Sequence, residues 1–247
     1  MPNDYFQFQQ FRIEQDQCAM KVSTDACLLG GATDLAGAMR LLDIGTGTGL
    51  LALMAAQRHP TVEIEAVEID EAAAAQAAAN VAASPWAGRV RVWPLSLAEL
   101  AARRAGPGAD QQFSHIICNP PFFRQSLLSA GVGRRLARHA TAASLTLEEI
   151  ADFAARFLTE NGRLTLLLPP AELRQFQAVG AGRELALQAD LRVRHRPGGP
   201  VKRHIAAFGR GLATGEGVGM QELAIEDEAG GYSAAFRALL GGFYLAL

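Results

Sequence analysis

The 247-residue sequence predicts a doubly wound α/β fold, close to a seven-stranded, mostly parallel sheet with an antiparallel hairpin at its C-terminal edge. Three observations carry that prediction. From Arg40 onward, short apolar runs alternate with stretches of helical spacing, as βαβ units do. The first apolar run passes straight into a glycine-rich turn. Two late strand-like runs are joined by Pro-Gly-Gly-Pro.

Taken in order, residues 40–44 (RLLDI) make the first strand and residues 49–59 (GLLALMAAQRH) the helix after the glycines. Residues 62–69 (VEIEAVEI) give the second strand, followed by the alanine-rich helix EAAAAQAAANVAA. RVRVW is a short third strand, with SLAELAARRA helical behind it. FSHIIC, after the loop GPGAD, is the fourth strand. SLTLEEIADFAARFL opens on a Ser or Thr cap with acids in its first turn. GRLTLLLP is the fifth strand and AELRQFQAVG its helix, before the hairpin LALQADLRVRHR and VKRHIAAFGR. Residues 211–231, glycine-rich and acidic, read as a mobile loop, and YSAAFRALLGGFYLAL as a segment that docks a helix back on the body. Residues 1–39 precede the sheet as a capping segment, and residues 40–247 form the main domain.

Composition narrows the function classes. With 49% hydrophobic residues and a formal charge of −2, the chain can bury a core and does not suit non-specific coating of nucleic acid. No secretory signal or apolar run of membrane-spanning length is visible, so a cytoplasmic, monomeric protein is expected. The three cysteines and five histidines lack metal-ligand spacing, so no metal is expected. Charge is uneven, however. Residues 191–210 hold six Lys/Arg and no acid, and residues 124–139 hold four Arg and no acid. A solvated face explains either segment alone; two together favour a polyanionic substrate.

The chemistry gathers at three places. After Asp43 the glycines Gly45, Gly47 and Gly49 lead into a helix, a pattern that lets backbone approach a ligand and offers free helix amides. Glu68 follows about twenty residues later at the end of the second strand, where a carboxylate can accept both hydroxyls of a ribose. The fourth strand runs into Asn119, Pro120, Pro121, Phe122 and Phe123. As a bland turn, Asn-Pro needs no further account.

Together the glycine loop, the acid and NPPF resemble class I S-adenosylmethionine-dependent methyltransferases, specifically those that modify exocyclic or amide nitrogens. The resemblance covers roughly residues 40–210 and implies a Rossmann-like fold with S-adenosylmethionine as cofactor. It casts Asn119 and the Pro120 carbonyl as acceptors for the two protons of an amine, each about 3 Å from the nitrogen. Holding those protons favours a more tetrahedral nitrogen and frees its lone pair. The prolines lack N–H groups and stiffen the carbonyl frame. Phe122 offers a stacking face worth roughly 1–3 kcal/mol to a base; Phe123, beside Pro121, divides evenly between base contact and core.

The run QDQCAMKVSTDACLLG, at residues 15–30, resembles the opening of bacterial tRNA adenine-N6 methyltransferases acting just 3′ of the anticodon, at adenine 37, in valine tRNA. Gln15, Asp16, Cys18, Met20, Lys21, Val22, Thr24, Asp25, Leu28, Leu29 and Gly30 carry that likeness, and Ser23 stands where Gly is expected. The resemblance implies that this segment folds over the cofactor, with Thr24 or Asp25 near its methionine moiety. It also implies that Ser96 takes a place where relatives often carry an acid toward the cofactor adenine. Arg134, Arg135, Arg192, Arg194, Arg196 and Arg203 are then candidates to hold anticodon-loop phosphates, with Arg203 joining the others across the hairpin turn. Two other readings stay open: a protein-glutamine methyltransferase of the release-factor type, and a non-catalytic cofactor-binding module that docks on RNA.

Overall fold

The computed structural model describes residues 3–18, 20–105, 112–121, 145–211 and 218–247. The loop GPGAD, Phe122, Phe123, Arg134 and Arg135 lie outside the described residues. The described chain starts with a small antiparallel ribbon, β1 (Tyr5–Gln7) and β2 (Arg12–Glu14), and then α1 (Thr24–Ala32). The alternating part comprises β3 (Arg40–Ile44), α2 (Leu50–Arg58), β4 (Glu63–Glu68), α3 (Glu71–Ala82), β5 (Val90–Pro94) and α4 (Leu97–Arg103). It continues through β6 (Phe113–Cys118), α5 (Leu147–Phe157), β7 (Leu158–Leu168) and α6 (Pro170–Ala181). The chain closes with β8 (Leu185–Arg194), β9 (Val201–Arg210), β10 (Gly219–Ala224) and α7 (Ala234–Leu240).

The large sheet has eight strands in the order β10-β8-β9-β7-β6-β3-β4-β5. Strands β3 to β7 pair in parallel, and β9 runs antiparallel to both β7 and β8. The predicted hairpin therefore stands where expected. The predicted mobile loop does not, because residues 219–224 pair in parallel with β8 from Gly219↔Ala189 to Ala224↔Arg194. Sequence-distant pairing with β8, rather than local propensity, makes this an eighth strand.

Parallel strands covered on both faces need apolar residues throughout. Thus Leu41, Leu42, Asp43 and Ile44 of β3 are all buried, as are His115 to Cys118 of β6. One core layer joins α1, α2 and α7 to one sheet face; the other packs α4, α5 and α6 on the opposite face. Local caps agree with the helix starts. Thr146 and Glu149 form a reciprocal capping box on α5, and Ser96 and Glu99 form one on α4. Ser23, the departure from the expected Gly, accepts from Ala26 N at 3.2 Å and caps α1.

Residues 1–39 share their core with the body. Phe8 and Ile13 have no solvent exposure, and Leu28 and Leu29 of α1 are equally buried in the layer that holds α2. Gly30 is required by that packing, since a Cβ there would lie 2.6 Å from Met54 Sδ. The C-terminal segment returns to the same place: Gln9 N donates to Phe243 O at 2.8 Å, and Phe8 bridges Tyr244. Phe8→Ala is therefore expected to cost roughly 3–5 kcal/mol and to leave a single urea transition with unchanged slope. A separate early transition for the N-terminal segment would contradict this shared core.

Candidate functional site

The site forms at the carboxyl ends of β3, β4 and β6, where parallel α/β sheets open their crevices. After Asp43 and Ile44 the chain turns through Gly45, Gly47 and Gly49, with φ of 67°, 55° and 84°. An ordinary side chain strains in that left-handed region, so glycine serves the turn. A Cβ at Gly45 or Gly47 would meet nothing within 4 Å, which leaves open space over the loop. Gly49 instead packs on α3, where a built Cβ lies 3.5 Å from that of Ala77. The alanine-rich helix is what allows this approach.

Three side chains hold the turn from outside. Glu68 accepts from Gly47 N at 2.9 Å and from Asp70 N at 3.0 Å. Asn80, buried in α3, donates to Thr48 O and to Glu14 O and accepts from Glu14 N, all at 2.9 Å. It thereby ties β2 to the glycine loop. Asp43 is wholly buried behind the loop; its Oδ2 accepts from Thr46 Oγ1 at 2.5 Å and Ala52 N at 3.2 Å. Its Oδ1 meets no hydrogen-bond partner among the described residues. Burial pushes the Asp43 carboxyl up to about 7, against the opposing pull of Thr46 and Ala52.

Two cavities meet at Gly45. One, of about 460 Å³, is walled by Lys21 to Ser23 and Asp25, by Gly45 to Thr48, and by Asn119 and Pro120. Glu172 of α6 and Arg203 of β9 complete it. The other, of about 300 Å³, lies between Gly45, Glu68, Ile69, Ser96 and Leu97. Sequence-distant candidates are thus brought near one another: Glu68 and Ser96 line one cavity, Asp25 and Asn119 the other, and the glycine loop borders both at Gly45. Asn119 is half-buried and Pro120 buried, while Pro121 is exposed.

Several expectations need correction. Asp43 lines neither cavity and acts through the loop it braces. Thr24 is exposed and outside the wall that Ser23 and Asp25 share, because α1 begins there and turns it away. The hairpin arginines do not present a free basic face. Arg192 pairs with Asp190 at 3.3 Å, Arg194 with Glu222 at 2.9 Å and Arg196 with Glu226 at 2.8 Å. The acids from the β10 segment, far away in sequence, supply two of those partners. Arg203 sits opposite Val193 in the register, hence on the other face from Arg192 and Arg194, and pairs with Asp25 at 2.9 Å. Asn80 and the buried Gln15, whose Oε1 accepts from Val22 N at 2.8 Å, were not singled out from the sequence for these roles. For Asn80 the signal, a lone amide amid apolar residues, is common, and for Gln15, amid Glu14, Asp16 and Gln17, it is absent.

The residues fit a nucleoside-containing cofactor. Open space over Gly45 and Gly47 suits its close approach to the backbone, and each Glu68 oxygen, with one donor already bound, keeps a lone pair for a hydroxyl. The Ser96 hydroxyl donates to Glu99 Oε2 and accepts from Glu99 N, so one acceptor position remains for an amine. Among the described residues no cluster of three His, Cys, Asp or Glu could hold a metal, and no helix is long and apolar enough to cross a membrane.

Because the folded Asp43 carboxyl titrates near 7 against 3.8 for the free group, its contribution to stability is complete below about pH 4 and is lost as pH rises through about 7. The wild type is expected to lose stability relative to Asp43→Asn over that interval, read as the difference between their urea midpoints. Parallel pH curves would show that burial does not control this carboxyl.

Residues 26–148 match the family model described as methyltransferase small domain. A predicted O-methyltransferase from Agrobacterium tumefaciens superposes with a TM-score of 0.64 at 19% identity, covering 89% of this chain and 96% of that one, which is a likeness of fold. A curated tRNA1(Val) (adenine(37)-N6)-methyltransferase from Bacteroides thetaiotaomicron is 39% identical, with all of both chains aligned. One of the same name from Shewanella loihica is 37% identical over 98% of this chain and 99% of its own. At that identity over essentially its whole length, the chain belongs to the tRNA1(Val) (adenine(37)-N6)-methyltransferase family.

Proposed function

We propose that this protein methylates N6 of adenine 37, beside the anticodon of tRNA(Val), using S-adenosylmethionine. The observation that carries the proposal is the shared cavity wall of Asn119, Pro120 and the glycine loop from Gly45 to Thr48. It sets two amine acceptors beside a backbone cradle suited to the cofactor.

S-adenosylmethionine supplies an electrophilic methyl on a sulfonium. Gly45, Gly47 and Gly49 give it backbone approach, Glu68 accepts its ribose hydroxyls, and Ser96 borders the adenine end. Asp25 stands at the methionine end, within the N-terminal segment 1–39 that caps the main domain 40–247. Asn119 Oδ1 and the Pro120 carbonyl hold the N6 protons, so the nitrogen lone pair faces the methyl. The N–CH₃ bond forms as the S–CH₃ bond breaks, and the N6 proton leaves once the nitrogen is positively charged and acidic. No charged base is needed for that loss. The family resemblance assigns the stacking face for the base to Phe122 and leaves Phe123 divided between base contact and core; both lie outside the described residues. An unpaired loop base is cheaper to present here than one taken from a duplex.

The relatives' full-length similarity supports the tRNA substrate, and the cavity geometry supports amine methylation. The direct test is incubation with methyl-labelled cofactor and either unmodified tRNA or a release factor, followed by digestion. N6-methyladenosine at position 37 is expected; label on glutamine, or none on tRNA, would overturn the proposal. In the same assay Asn119→Ala should lower kcat by roughly 10²-fold or more, the scale of positioned proton-acceptor effects. Cofactor affinity should change far less. Equal losses in both would show that Asn119 belongs to cofactor binding.

A further inference from the structure

The hairpin arginines are neutralised, and a different surface holds guanidinium groups without acid partners. Strand β5 is the outer edge of the sheet, and the C-terminal end of α4 approaches it at Leu100 and Arg103. Between them lies a groove of about 600 Å³, lined by Arg40, Arg89, Arg91, Arg103 and Arg104 against Glu63 and Glu65 alone among acids. Five cations against two anions is a local excess in a chain whose formal charge is −2.

The groove is built rather than incidental. Glu65 is mostly buried and accepts from Arg104 at 2.5 Å, Arg40 at 2.8 Å and Trp93 Nε1 at 3.0 Å. Burial works to raise that carboxyl, but Arg104, Arg40 and Trp93 outweigh it and hold it below its usual range. Arg89 is spent on the carbonyls of Val62 and Ala56. Arg91 and Arg103 are different. Both are exposed, and no ion pair joins either to an acid among the described residues, although Arg103 feels the charge of Glu99 one turn earlier on α4. Their guanidinium carbons stand 5.3 and 5.9 Å from the Trp93 ring centroid. At that range the ring attracts the cations and limits their rotamers while leaving N–H groups for another acceptor.

Position matters as much as charge. Leu95 lines both this groove and the cavity beside Glu68 and Ser96, so the groove continues from the catalytic end around the sheet edge. From β6, which delivers Asn119, to β5 is three strand spacings, about 15 Å, and Arg91, level with Ile116 through Leu42 and Glu65, lies three residues, about 10 Å, back toward the amino ends. An RNA arm leaving a base held at Asn119 can reach it.

We propose that the β5–α4 groove is a backbone-binding surface for tRNA, with Arg91 and Arg103 contacting phosphates outside the modified loop. Phosphates that bind there displace no intramolecular ion pair. At Arg192, Arg194 or Arg196 they would compete with Asp190, Glu222 or Glu226. The inference rests on tRNA being the substrate.

The test compares wild type with the double variants Arg91→Ala/Arg103→Ala, Arg91→Lys/Arg103→Lys and Arg192→Ala/Arg194→Ala. Binding of unmodified tRNA is titrated at several salt concentrations, with methylation followed in parallel. The Arg91→Ala/Arg103→Ala protein should bind on the order of tenfold more weakly near 0.1 M salt, and its log–log salt slope should be shallower by about 1.4–1.8. Its KM for tRNA should rise while kcat at saturation and cofactor affinity hold. The lysine variant should keep the wild-type slope. The Arg192→Ala/Arg194→Ala protein should change the slope less. If the groove variant, folded as judged by its melting curve, binds tRNA with wild-type affinity and slope, the arginines only protect the sheet edge and the inference fails. If wild type methylates no tRNA, the proposed function itself fails, a distinct result.

Discussion

Gly45, Gly47 and Gly49 have no side chains with which to fix their turn, yet the whole site hangs on its shape. The protein solves this by tying the turn from three directions. Asp43 grips Thr46 and Ala52 from beneath, Glu68 takes Gly47 N from the neighbouring strand, and Asn80 takes Thr48 O from α3. Asn80 also pairs with both backbone groups of Glu14, so the same amide fixes the N-terminal ribbon over the loop. Remove these ties and the two cavities that meet at Gly45 lose their common wall. The upper surface of the turn can stay bare because its lower surface is satisfied.

That arrangement explains why the N-terminal segment is inseparable from the site. Lys21 to Ser23 and Asp25 form one side of the larger cavity, and they are held by Gln15 on Val22 and by the Ser23 cap on α1. Beneath them α1 packs so closely on α2 that Gly30 admits no side chain without moving Met54. Positioning of the cavity wall is therefore coupled to the hydrophobic core, not to a free-standing flap.

The parallel strands were legible because burial on both faces writes near-continuous apolar runs, as in RLLDI and FSHIIC. The cap at Thr146 was equally local and equally readable, whereas the one at Ser96 was not read as a cap. What escaped depends on partners far along the chain. GMQELA carries no strand pattern of its own and becomes β10 by pairing with β8. The glutamates of that late segment are the same residues that neutralise Arg194 and Arg196, so a basic run in sequence became a paired surface in space. At the site, Glu68 ends one strand and Asn119 follows another, a placement readable from the sequence, and both line the cavities. Asp43 and Thr24 stand off the cavities because one position further along a strand or helix exchanges cavity for interior or solvent. The Arg91–Trp93–Arg103 cluster was invisible for a similar reason, arising only when α4 folds beside the edge strand.

One cofactor is expected to span both cavities that meet at Gly45, from Ser96 to Asn119. A crystal structure with S-adenosylhomocysteine bound decides this. The ribose hydroxyls should lie on Glu68, the adenine beside Ser96 and Leu97, and the sulfur toward the cavity of Asn119 and Pro120. A ligand bound away from Gly45, or with its sulfur turned from Asn119, would rule it out.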